Sequence, residues 1–256
     1  MAHRPPHFRK IAIATKAGQA GAGHADVGGR WHDLLARADA LAVAAAKRPF
    51  RVLALLLAIN AVLIPVFAGA GWALGDQASF FREGAPGTIY SFVLLLAIAV
   101  AARAVYLRDG ASFWRLSAIV FAVFAVNEIT QAGMFLSEWL SGSFGMEPAS
   151  GFNDLDSVLL TLLFIGCGMV LASRAAVLLK YPRTLALLVV GGALGVASQA
   201  LDSFVKPTVW EFVAEEAFKL NAEPFFVTAF LVALAAVLSR QGEERPPEPA
   251  LPPSPS

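Results

Sequence analysis

The sequence predicts an all-α protein, a polytopic membrane helix bundle with six transmembrane helices and both termini in the cytoplasm. Three observations carry that expectation. Of 256 residues, 57% are hydrophobic and only 15% charged, whereas soluble domains run nearer half apolar and one quarter charged. The apolar residues fall in long continuous runs, not in the ~10-residue alternating strands of a closed barrel. Lysine and arginine concentrate in alternate loops, the pattern that sets orientation across a bilayer.

Residues 1–29 read as a basic, disordered tail. Arg4, Arg9, Lys10 and Lys16 meet no acid before Asp26, and Pro5-Pro6 and the Gly/Ala run through Gly23 fit a disordered tail. No apolar run of signal-peptide type precedes Val52. Residues 30–49 predict an amphipathic interfacial helix: Trp31, Leu34, Leu35, Ala38 and Leu41 share a side, with Asp33, Arg37 and Lys47 elsewhere. It is expected to lie on the inner membrane surface or to pack under the bundle. The transmembrane domain occupies 50–239, and 240–256 is a charged, Pro-rich tail with no reason to fold.

The six spans run Val52–Leu74, Ile89–Leu107, Phe113–Leu136, Leu155–Leu179, Thr184–Phe204 and Phe212–Leu238, each long enough for a ~30 Å hydrocarbon core. Asn60 and Pro65 in the first span predict a bend or an interhelical bond. Gly166 and Gly168 in the fourth and Gly191 and Gly195 in the fifth read as close-packing positions, and Cys167 as packing too. The basic segments are the amino-terminal one, the loop with Arg108 and Arg115, the loop with Arg174, Lys180 and Arg183, and the tail with Arg240 and Arg245. The opposite loops carry only Arg82 and Lys206, which places both termini inside.

The chemistry concentrates in Trp210 to Phe226, which opens the last span with Glu211, Glu215, Glu216, Lys219 and Glu223. Glu216, Lys219 and Glu223 follow i, i+3, i+7, and Glu215 stands four before Lys219, so one helix face sets a lysine among carboxylates. Pro224 removes a backbone donor and frees a carbonyl at that level. Charges at membrane depth are costly and face a bundle interior or a watery cavity. The third span adds Asn127, Glu128 and Gln131 in its outer half, the fourth begins with Asp156, and the fifth ends with Gln199 and Asp202. Glu128, about two turns inside, needs a partner or a proton, and Lys219 would keep it charged. If these faces turn inward, they form an acidic pocket open to the extracytoplasmic side.

Composition excludes several chemistries. A net charge of +1 gives no reason to expect nucleic acid. A single cysteine allows neither an internal disulfide nor a cysteine-ligated zinc. His3, His7, His24 and His32 all precede the first span, so neither transmembrane bis-histidine haem nor histidine-ligated zinc is expected. Oxygen ligation of a hard cation by Glu128, Asp156, Asp202, Glu216 and Glu223 is open. Glu215-Glu216 is superficially similar to the EExxxR motif of CAAX-type intramembrane proteases, but Leu220 stands where the arginine belongs and the later histidines are missing. The SQALD stretch at 198–202 together with EEAFK at 215–219 resembles uncharacterised six-helix bacterial membrane proteins over the last third of the chain. Rich Ala, Leu, Arg and Pro usage fits a GC-rich bacterial genome and a bacterial inner membrane.

Three functions suit this inventory. The first is a small transporter or solute-binding membrane subunit whose pocket takes a proton or a small cationic or polar solute. A membrane-embedded hydrolase using carboxylate acid/base chemistry or an oxygen-ligated metal is the second. The third is a non-catalytic scaffold or sensory subunit that binds cytoplasmic protein partners through its amino-terminal helix or its tail.

Overall fold

The computed structural model describes residues 27–76, 79–81, 84–130, 155–204 and 208–243. Among them every regular element is helical: α1 Val27–Ala46, α2 Pro49–Ala73, α3 Pro86–Asp109, α4 Ser112–Thr130, α5 Leu155–Ala172, a 3-10 turn Ala175–Lys180, α6 Pro182–Phe204 and α7 Val209–Glu243. Helices α2, α3 and α6 open on a proline, whose fixed φ suits a first turn where no amide donor is needed. Helix α3 stops at Gly110, left-handed at φ 74°, whose amide donates to the Tyr106 carbonyl at 2.9 Å. Contacts divide the chain into Met1–Ala36 and Arg37–Ser256, and helices α2 to α7, with the last turns of α1, belong to the second unit.

Helices α2, α3, α4, α6 and α7 are each long and apolar enough to cross a membrane. Their packing is that of a bundle immersed in hydrocarbon. Helices α7 and α3 are central, with 61% and 56% of their apolar windows buried, against 6% for α2. Helix α4 packs on α3, and α6 and α2 pack on α7. Outward faces carry Leu55, Val62 and Val66 on α2, Ile119, Val123 and Val126 on α4, and Val189, Val190 and Val196 on α6, all exposed. A soluble monomer does not expose apolar surface on that scale, whereas helices with internally paired backbones are at home in lipid. The chain is a multi-pass membrane protein of helical type.

Helix α1 starts at Val27, inside the stretch expected as a disordered tail, and ends at Ala46; α2 and α3 start three residues before the expected spans, and three other boundaries differ in kind. The expected span Leu155–Leu179 is not one helix: α5 has 18 residues, about 27 Å at ~1.5 Å per residue. The Ser173 amide and hydroxyl turn back on the Met169 and Val170 carbonyls at 2.9 and 2.7 Å, and the 3-10 turn follows, with Leu178 in the core. The expected span Phe113–Leu136 is helical to Thr130, and its remainder lies outside the described residues. Helix α7 runs past Leu238 to Glu243, into the segment expected as a tail. Side-chain contacts account for that extension. Arg240 sits 4.9 Å over the Tyr181 ring and donates to the Tyr181 hydroxyl and the Lys180 carbonyl, both at 3.4 Å, while Gln241 donates to the Arg108 carbonyl at 3.3 Å.

The core is aromatic. Trp114 meets Phe113, Tyr181 and Phe230 edge-on, with centroids 5.0, 5.5 and 6.0 Å apart, and Phe121 continues the cluster to Phe226 and Phe230. Asp109 accepts from Trp114 Nε1 at 2.7 Å and from the Tyr181 hydroxyl at 2.8 Å. Burial and the Asp109 carboxylate push the Tyr181 phenol up to about 12. Arg108 grips Asp39 of α1 with both guanidinium nitrogens, at 2.9 and 2.7 Å, and holds its carboxyl below the ordinary carboxylate range. Ala42 and Ala46 bury beside that pair, so this part of α1 packs against the bundle.

Pro224 does not break α7. Having no N–H, it leaves the Leu220 carbonyl four residues earlier without its helical donor. Asn60 Nδ2 of α2, fully buried, donates to that carbonyl, and Asn60 Oδ1 accepts from the Tyr90 hydroxyl at 2.9 Å. The interhelical bond expected of Asn60 thus repairs the defect expected of Pro224. Gly191 is a close-packing glycine as expected: a Cβ there would stand 3.1 Å from the Phe226 ring and 3.2 Å from the Ala222 carbonyl. Gly166 and Gly168 show no such contact, since among the described residues a Cβ at either meets nothing within 4 Å.

Candidate functional site

Helical periodicity builds one wall after another of a single cavity. On α7, Glu215, Lys219, Ala222, Glu223 and Phe226 recur every three or four residues. On α6 the same spacing aligns Gly195, Ser198, Gln199 and Asp202, and on α4 it aligns Val120, Phe124, Asn127 and Glu128. These faces, with Cys167, Gly168 and Leu171 of α5, enclose about 280 Å³. The polar side chains come from the carboxyl-terminal halves of α4 and α6 and the amino-terminal half of α7, hence from one end of the bundle. Phe121, Phe124 and Phe226 close the cavity toward its middle.

Lys219 organises the charges. Its ammonium lies 3.0 Å from Glu128 Oε1 on α4 and 2.6 Å from Glu216 Oε1 one turn earlier on α7. The Glu216 side chain is only 6% exposed and the Lys219 side chain 29%, so Glu216 stands behind the lysine while the lysine reaches the cavity. Glu223 is buried against α3, where its Oε1 accepts from the Ser91 hydroxyl at 2.5 Å. The second oxygens of Glu216 and Glu223 have no hydrogen-bond partner among the described residues. On α6, Gln199 Nε2 donates to Asp202 Oδ2 at 3.1 Å.

Among the described residues, the carboxyl groups of Glu128, Asp202, Glu215, Glu216 and Glu223 therefore share one region with a single ammonium, that of Lys219. Ionised together in a low-dielectric site, these carboxylates would repel one another by several kcal/mol. A proton or a cation relieves that repulsion, and the two unpartnered oxygens are lone pairs with nothing yet to accept.

The structure sorts the sequence candidates. Asn127, Glu128, Gln199, Asp202, Glu215, Lys219 and Glu223 line the cavity, and Glu216 contacts it through Lys219. Gln131, the Asp156 side chain and Lys206 lie outside the described residues. Asn60 does not reach the cavity, because its amide is committed to Leu220. Cys167 lines the cavity instead of filling a packing position. Among the described residues no three His, Cys, Asp or Glu side chains are placed to hold a metal ion. A physical reason is visible in Lys219, whose ammonium occupies the ground between Glu128 and Glu216. Sequence reasoning missed Ser91 and the three phenylalanines. Ser91 carried a signal, lying three and seven residues before Leu94 and Ile98 on the buried stripe of α3.

The chain matches no protein-family model, and no curated protein or solved structure is significantly similar to it.

Proposed function

We propose that this chain is a small transporter or solute-binding subunit that takes a proton or a small cationic or polar solute into the acidic cavity. In this reading six spans cross a bacterial inner membrane, α5 being the fourth, and both termini are cytoplasmic. The acidic end then faces the extracytoplasmic side. Loop charge supports the orientation: Arg108, Arg115, Lys180, Arg183 and Arg240 belong to the opposite end.

The observation that carries the reading is the Lys219 ammonium held between Glu128 and Glu216 on the wall of a cavity with further carboxyls. A built-in cation of this kind marks where an exogenous one is stabilised. An incoming cation competes for Glu128 while Glu216 retains Lys219, and the orphan oxygens of Glu216 and Glu223 supply additional acceptors. The geometry favours binding over carboxylate acid/base hydrolysis, because Glu128 and Glu216 meet through an ammonium rather than across a shared proton.

The test is the melting temperature of the full chain in detergent, for wild type, Glu128→Gln and Glu223→Gln. It is measured from pH 5 to 9 and with Na⁺, K⁺, Mg²⁺, Ca²⁺ and small organic ammonium ions. A ligand at a hundred times its dissociation constant adds about 2.7 kcal/mol to the stability of the state that binds it. One cation or a pH step is expected to raise the wild-type transition, with the response lost in both variants. If all three proteins melt alike under every condition, the carboxyls are structural and the scaffold reading replaces this one.

A further inference from the structure

A second concavity, of about 410 Å³, lies at the opposite end of the bundle, where the start of α2, the turn into α6 and the last turns of α7 meet. Its mouth is basic and its body apolar. Lys180 and Arg183 border it, both exposed and neither ion-paired among the described residues, while Phe50, Val232 and Ala236 are among its apolar lining. Thr184 lines it as well, fully buried, and its hydroxyl has no hydrogen-bond partner among the described residues. A helical threonine ordinarily returns its hydroxyl to the carbonyl one turn back, so an unused hydroxyl here lacks the usual explanation.

The backbone points the same way. Arg183 and Thr184 stand in the first turn of α6, after Pro182, where amide hydrogens have no intrahelical acceptor and the helix dipole favours an anion. The Asp109 carboxylate beside Tyr181 is engaged by Trp114 and Tyr181, and Arg240 adds a further cation beside Tyr181. Charge, hydroxyl and first-turn amides therefore border the same concavity, a set of groups suited to an anion. An apolar trough running on from them suits a hydrocarbon tail.

We propose that this groove binds an anionic phospholipid, its phosphate held by Lys180, Arg183, Thr184 and the first turn of α6, and an acyl chain laid along Phe50, Val232 and Ala236. A soluble phosphate satisfies the mouth alone, and leaves the exposed ring of Phe50 and the apolar wall of α7 uncovered. The lipid covers both. The assignment rests on the membrane character of the bundle and is independent of the acidic cavity.

The experiment is native mass spectrometry of the full chain in detergent, titrated with dioleoylphosphatidylglycerol, with dioleoylphosphatidylcholine, and with glycerol 1-phosphate and inorganic phosphate. Wild type is compared with the Lys180→Ala/Arg183→Ala double variant and with Thr184→Val. The expected result is retention of phosphatidylglycerol over phosphatidylcholine and no retained adduct with either soluble phosphate. Binding should weaken roughly 25-fold in the double variant, about a factor of five for each surface cation, and severalfold in Thr184→Val. Equal retention of the two lipids, unchanged affinity in the variants, or soluble phosphate held as well as the lipid each overturns the assignment. Both cations are exposed, so the double variant should fold. If it does not, Thr184→Val, nearly isosteric, decides by itself.

Discussion

Replacing Asn60 by leucine removes the donor that α2 supplies to the Leu220 carbonyl, with little change in side-chain volume. The carbonyl then has no partner, since Pro224 offers no amide. A buried unpaired carbonyl costs about 1–3 kcal/mol. Interhelical hydrogen bonds in membrane proteins average only ~0.6 kcal/mol, because the broken state usually finds another partner. Here the usual substitute, the backbone four residues on, is missing, which argues for the upper part of the range. The Tyr90 hydroxyl also loses its acceptor, but the half-buried Tyr90 is less constrained. We therefore expect Asn60→Leu to destabilise by about 2 kcal/mol. Pro224→Ala restores a backbone donor to Leu220 and should halve that loss, giving a coupling of about 1 kcal/mol between two positions on different helices. The assay is equilibrium unfolding by sodium dodecyl sulfate in mixed micelles, followed by circular dichroism, for wild type, both single variants and the double. Additivity within about 0.5 kcal/mol would falsify the claim that Asn60 repairs the proline defect.

Three further outcomes are expected. Gly191→Ala should destabilise by about 1 kcal/mol, because overpacking against Phe226 and the Ala222 carbonyl outweighs the helix propensity gained; Gly192→Ala, with nothing within 4 Å of its Cβ, should be neutral or stabilising by up to ~1 kcal/mol in the same titration. The Asp39 carboxyl titrates lower in the folded protein than in the unfolded chain, with hydrogen bonding from Arg108 as the main cause. Its contribution is therefore present at neutral pH and disappears as pH falls through the lowered value. Because a fifth to a quarter of each side chain stays exposed to solvent, screening holds the contribution to about 0.5–1 kcal/mol. Asp39→Asn should melt below wild type at pH 7, with the gap closing in acid, and a gap independent of pH refutes the assignment. At the single cysteine, Cys167, the carboxyl-rich walls should make a cationic methanethiosulfonate react about tenfold faster than an anionic one of similar size. Equal rates, measured by intact mass over time, mean that the cavity is not negative.

Local physics made much of this molecule readable. Hydropathy adds up along a contiguous segment, so the helical membrane class and the positions of α2, α3, α4, α6 and α7 follow from composition in windows of about 20 residues. Helix periodicity is equally local, which is why Glu216, Lys219 and Glu223 fall on one face whatever their partners. The break after Ala172 left only a short polar signal, Ser173-Arg174 between apolar runs, because the turn is stabilised by Ser173 bonding back on α5 and by Leu178 entering a core made elsewhere. The glycines failed for a similar reason. Gly191 and Gly168 look alike in sequence, and only the neighbouring helix gives one of them an obstacle.

By itself, then, the sequence determined that helices form, roughly where they lie, and which of their levels carry charge. The rotation of each helix about its own axis was decided by tertiary packing, through contacts separated by many residues. Lys219 meets Glu128 across 91 positions, and Asn60 meets Leu220 across 160. Such pairings depend on how ridges of small and aromatic side chains interlock, as Gly191 does with Phe226 and Ser91 with Glu223. A rotation of one residue, about 100°, would break each of those pairings with no change in the local pattern. That is why the charged levels, and the residues a pocket would draw on, were legible in the sequence, while packing decided that their faces meet around one cavity.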